Sequence, residues 1–105
     1  MYNEKALKEL KKLLFAKYPE YIEKMILFGS RAENKDREYS DYDILLILNK
    51  TYNRIFEDDV LDIAYDIILK YDIITDLKLI TKDELKTIKG ALPFVQNALN
   101  QGITI

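Results

Sequence analysis

The sequence has no histidine, no cysteine and no tryptophan, and only three glycines and two prolines. Without cysteine there is no disulfide and no thiolate nucleophile. Without histidine as well, a zinc site loses its usual ligands, and Ser–His–Asp catalysis and imidazole general-base chemistry are excluded. No stretch approaches the roughly 18 apolar residues of a membrane span. Residues 1–12 are polar and alternately charged, without the apolar segment of a signal peptide. Sixteen Lys and Arg against 18 Asp and Glu give a net charge of −2, a poor footprint for direct nucleic-acid binding. The expectation is a soluble cytoplasmic protein with no membrane contact. Its chemistry must run on carboxylates, hydroxyls, Lys, Arg and backbone amides, with or without a borrowed metal.

What is present describes a packed core under a charged surface. Of 105 residues, 49% are hydrophobic and 32% charged, which excludes disorder and suits a single domain over 1–105. Ala6, Leu7, Leu10, Leu13, Leu14 and Tyr18 recur at helical spacing, so the chain from Asn3 to Tyr18 reads as a helix with Asn3 as N-cap, stopped by Pro19. Met25 to Phe28 is a short apolar strand running into Gly29. The polar stretch Ser30 to Ser40 reads as a short helix start and a loop. A second strand, Asp41 to Leu48, begins polar and becomes continuously apolar, as a central strand with a wet end does.

A second long helix is expected over Ile55 to Tyr71 and a third strand over Ile73 to Ile80. Thr81 and Glu84 have capping-box spacing and open a short helix that fades near Gly90. A last helix spans Pro93 to Asn100, and Ile103 to Ile105 offers a short edge strand. Three strands with helices able to cover one face predict a small two-layer α+β domain. The helix between the second and third strands allows a parallel crossover, while the short link between the first two fits either sense.

Asp41 and Asp43 lie two apart in a strand, so both side chains leave the same face while Tyr42 and Ile44 point the other way. Two ionised carboxylates this close repel, and a hard divalent cation such as Mg²⁺ would resolve the repulsion; a solvated strand mouth is the plain alternative. Upstream, Gly29-Ser30-Arg31-Ala32 follows a strand directly. Glycine gives the turn room for a phosphate, a helix starting at Ser30 would present free N–H groups, the Ser30 hydroxyl can donate, and Arg31 adds a fork of donors. Asp76 interrupts the third strand and is a third candidate ligand; Asp72 is better explained by turn chemistry. Lys78 shares the face of Asp76 and reads as a solvated lysine or a phosphate contact. Leu92, Phe94, Val95 and Leu99 read as packing on the domain or on a partner.

The stretch from Leu27 to Leu48 resembles the nucleotidyltransferase signature of the DNA polymerase β superfamily, most closely the minimal nucleotidyltransferase (MNT) group. The matching residues are Gly29, Ser30, Arg31 and Ala32, then Ser40, Asp41 and Asp43 with the apolar run after them; Asp76 matches the strand of the third carboxylate. The resemblance implies a nucleotidyltransferase fold, a small mixed sheet of three to four strands backed by helices. It also implies transfer of a nucleotidyl group from a triphosphate with two Mg²⁺ ions, and ATP as the substrate. Carried over, Gly29, Ser30, Arg31 and Ser40 would hold the nucleotide. Asp41, Asp43 and Asp76 would bind metal and form the catalytic triad, with Asp76 helping to deprotonate the acceptor. Glu33 and Asn34 stand where many relatives carry Arg-Gly, which makes this loop less basic.

MNT proteins are similar to the antitoxins of modules whose partner is a HEPN-domain ribonuclease toxin encoded next to them. The resemblance therefore implies AMP transfer onto a tyrosine of that toxin. Two other functions are open at this point: an antitoxin that neutralises its partner by contact alone, and a nucleotidyltransferase acting on a small-molecule hydroxyl. Whether the chain forms homo- or hetero-oligomers is open as well.

Overall fold

The computed structural model describes residues 2–29, 31–32 and 41–105. The chain order is α1 (Glu4–Lys17), β1 (Ile22–Phe28), β2 (Tyr42–Leu48), α2 (Arg54–Tyr71), β3 (Thr75–Thr81), two 3-10 turns (Glu84–Lys86 and Ile88–Ala91), α3 (Pro93–Gln101) and β4 (Ile103–Thr104). Most of the stretch read as a short helix start and loop, including Ser30 and Ser40, lies outside the described residues.

Local chemistry sets the ends of the elements. The Asn3 side chain accepts the Ala6 N–H at 3.1 Å, and the Asn53 side chain accepts the Phe56 N–H at 2.9 Å, so an asparagine caps each long helix. Asp72 ends α2 in the left-handed region at φ 53°, the turn role expected of it. The Thr81 hydroxyl accepts the Glu84 N–H while the Glu84 carboxylate accepts the Thr81 N–H, both at 3.0 Å. This is the reciprocal capping box, and it opens two 3-10 turns rather than one helix.

The sheet order is β3-β2-β1-β4. β1 runs antiparallel to both β2 and β4, while β2 and β3 are parallel, joined through α2. The fold is therefore α+β with a four-stranded mixed sheet. Alternation along the strands sorts the side chains into two cores. Met25 and Leu27 of β1 and Ile44, Leu46 and Leu48 of β2 pack with Leu7, Leu10 and Leu14 of α1 and Val60 and Ile67 of α2. Ile26, Phe28, Leu45, Ile47 and Ile80 point the other way and pack with Val95 and Ala98 of α3. The helices thus divide between the two faces instead of lying on one. The smaller α3 layer leaves the mouth of that face uncovered, and the acidic residues stand there. None of the described helices is long and apolar enough to cross a membrane.

Candidate active site

Asp43 is the second residue of β2 and Asp76 the second of β3, and the parallel ladder sets them directly opposite each other. Both share the parity of Leu45, Ile47 and Ile80, so they project on the α3 side, at the end of the sheet where β1 finishes. On the other flank Asp43 pairs with Phe28, the last residue of β1. Gly29 follows at φ +75°, and a Cβ added there would run into Oδ2 of Asp43. Only glycine allows the main chain to turn at this conformation and pass so close to the carboxylate. The turn and the acid strand, separated in sequence, are in contact.

Asp41 precedes β2 and is exposed to solvent. It is near enough to act electrostatically on Asp43, whose carboxyl is held above the usual carboxylate range. Burial is the main cause, followed by the negative charges of Asp76 and then Asp41, with Lys78 pulling in the opposite direction. The Lys78 ammonium lies 3.4 and 3.5 Å from the two Asp76 oxygens. Among the described residues no three acidic side chains gather tightly enough to enclose a metal ion. The pair set opposite each other is Asp43 with Asp76, and Asp41 acts on Asp43 through its charge. The donors are nonetheless all carboxylate oxygens in a chain without histidine or cysteine, which is the chemistry a hard divalent ion selects.

Tyr42 faces away, as the alternation requires. It is buried, and its hydroxyl accepts the Asn3 N–H at 2.8 Å, tying the start of α1 to β2. The Arg31 guanidinium lies 4.4 Å from the centroid of the Tyr42 ring, so part of its anchorage is aromatic. One neighbour of the acids was not legible as such. Phe94, at the start of α3, stacks on Phe28 with centroids 6.5 Å apart, and the Lys78 ammonium lies 5.4 Å from its ring. The helical pattern of 93–100 marks Phe94 as a packing residue; that α3 crosses to the acidic face is a tertiary fact.

Residues 8–105 match the family described as polymerase beta, nucleotidyltransferase. A curated relative from Methanocaldococcus jannaschii, named "Putative protein adenylyltransferase", is 35% identical over 102 residues, covering 97% of this chain and 96% of the relative. The fold is similar to a chain in the crystal structure of a toxin–antitoxin with AMP-PNP, with a TM-score of 0.67 at 22% identity, over 98% of this chain and 72% of that one. It is also similar to a chain in the complex of tri-AMPylated Shewanella oneidensis HEPN toxin with MNT antitoxin, with a TM-score of 0.60 at 21% identity, over 94% and 67%. The acid pair, the glycine turn and the mixed sheet are thus those of a chain that belongs to the polymerase beta nucleotidyltransferase family.

Proposed function

We propose that this nucleotidyltransferase is a Mg²⁺-dependent protein adenylyltransferase that moves AMP from ATP onto a tyrosine hydroxyl of a HEPN-type toxin, and so acts as its antitoxin. The observation that carries the reading is the in-register pair Asp43 and Asp76 against the Gly29 turn, in a chain of this family. The name of the M. jannaschii relative supports a protein acceptor, and the AMPylated toxin bound to an MNT antitoxin supports the partner.

In this reading Asp43, Asp76 and Asp41 hold two divalent ions. Bound there, the ions would supply charge neutralisation for the triphosphate and lower the pKa of the acceptor hydroxyl. The chain's own residues do the rest. Gly29, with no side chain of its own, brings main-chain N–H groups to the phosphates, and Ser30, Arg31 and Ser40 add donors. Asp76 takes the phenolic proton as the tyrosine oxygen bonds to the α-phosphorus. The bond from that phosphorus to the bridging oxygen breaks, and pyrophosphate leaves with the electron pair. Catalysis here is positioning and charge compensation, for which a chain without histidine and cysteine is sufficient.

The test is incubation with ATP, Mg²⁺ and the protein encoded beside this one, followed by intact-mass measurement. A gain of one or more AMP units on that partner is expected, and it disappears with Asp43→Asn. An unmodified partner that is nonetheless silenced, by the native chain and by Asp43→Asn alike, contradicts the reading in favour of neutralisation by contact.

A further inference from the structure

Lys78 lies on the acid-bearing face of β3, two residues beyond Asp76, and its ammonium reaches back to both oxygens of that carboxylate at 3.4 and 3.5 Å. These are long distances for a charge-assisted hydrogen bond, which closes to roughly 2.7–2.9 Å. The two side chains are 38% and 47% exposed, so the pair is a weak stabiliser of the fold. The same ammonium lies 5.4 Å from the centroid of the Phe94 ring, which is itself stacked on Phe28, the residue opposite Asp43. The lysine therefore occupies a bay formed by a carboxylate and an aromatic face at the mouth of the site. It is held loosely enough to leave.

Two carboxylates set opposite each other in a parallel ladder repel unless a positive charge stands beside them. Lys78 supplies that charge where no metal is bound. A divalent ion on the same oxygens makes the lysine redundant there and repels it. The triphosphate that accompanies the ion brings new negative charge to the same mouth, within the sweep of a four-carbon stem with a compact ammonium at its end.

We infer that Lys78 is a positioning and phosphate-binding residue, whose ammonium keeps Asp76 beside Asp43 in the empty site and passes to a phosphate of the metal–nucleotide when that arrives. The inference rests on the reading of the acids as metal ligands. It adds a trade: the lysine competes with the free ion but assists the ion once nucleotide is attached.

The trade gives Lys78 a signature that a purely structural residue lacks. Mn²⁺ binding is followed by the electron paramagnetic resonance of the free ion, first alone and then with α,β-methylene ATP. Lys78→Met and Lys78→Gln are compared with the native chain, and Lys82→Met serves as a control, since the Lys82 ammonium faces Glu23 at 3.9 Å instead of the acid pair. The Lys78 variants are expected to bind Mn²⁺ alone about three- to tenfold tighter, and the Mn²⁺–nucleotide weaker by a similar factor. Lys78→Arg restores nucleotide binding, and Lys82→Met moves neither. A native chain that takes up Mn²⁺ while the Lys78 variants behave as Lys82→Met does overturns this inference alone. A native chain that takes up no Mn²⁺ even with the nucleotide overturns the metal-ligand reading and the inference with it.

Discussion

Asp43 and Asp76 face each other across the parallel pairing of β2 and β3, on strands about 4.8 Å apart. Burial and the neighbouring carboxylates hold Asp43 above its ordinary range. A carboxyl raised in this way leaves the fold undisturbed below its unfolded-state value and opposes folding increasingly as pH rises through the folded value. Asp43→Asn is therefore expected to stabilise the metal-free protein. The gain is absent near pH 3 and grows toward neutrality. Asp76→Asn instead removes the carboxylate that the Lys78 ammonium faces. Both variants lose AMP transfer by about 10³-fold. Thermal melts in chelator from pH 3 to 8, with transfer assays alongside, check the opposite signs.

Gly29→Ala tests the contact between turn and acid strand. The left-handed conformation costs a non-glycine residue roughly 1–2 kcal/mol, and the new methyl group would displace the Asp43 carboxylate. Displacement of a catalytic group by about 1 Å is enough to reduce turnover on the order of 100-fold. The expected outcome is a modest loss of stability in a denaturant titration and a far larger loss of transfer. Equal, small effects on both would separate the glycine from the chemistry.

The capping box gives a pH dependence of the opposite sense, remote from the site. Glu84 is held below the usual range, first by its bond to Lys89 and then by the Thr81 N–H. A carboxyl lowered on folding stabilises above its unfolded value, and the contribution disappears as pH falls through the folded value. Glu84→Gln keeps an acceptor for Thr81 but loses the charge. It is expected to be less stable at pH 7 by about 0.5 kcal/mol, since the Lys89 pair is partly exposed. Denaturant titrations at pH 7 and pH 3 check that the difference closes on acidification. Transfer is unaffected.

The elements were legible where one residue decides a local question. Asn3 caps because its side chain reaches the N–H three residues on, Thr81 and Glu84 satisfy each other, and α2 is long enough for the crossover that makes β3 parallel to β2, whereas the matching cap at Asn53 reads in the sequence only as part of a turn. Strand period places Asp41 and Asp43 on one face, but it says nothing of the register that sets Asp76 opposite Asp43. That register depends on how far β3 slides along β2, which packing on α2 and α3 decides. The division of helices between two faces was missed. Its trace is the unbroken apolar run of β2, where Leu45 and Ile47 are as buried as Ile44 and Leu46, as happens only when both faces are covered. β1 begins earlier than the apolar run suggests, because Glu23 and Lys24 lie exposed at a register irregularity. Phe94 beside Lys78 was beyond reach, since it requires α3 to be carried across the sheet edge by β4.

The central claim is that Asp43 and Asp76 hold metal and nucleotide together against the Gly29 turn. Crystals grown with Mn²⁺ and α,β-methylene ATP test it most directly, because manganese is located by its anomalous scattering. The expected result is a manganese peak coordinated by the Asp43 and Asp76 carboxylates, with the triphosphate seated on the Gly29 main chain. Ordered nucleotide elsewhere on the molecule, with no manganese between these two side chains, would contradict it.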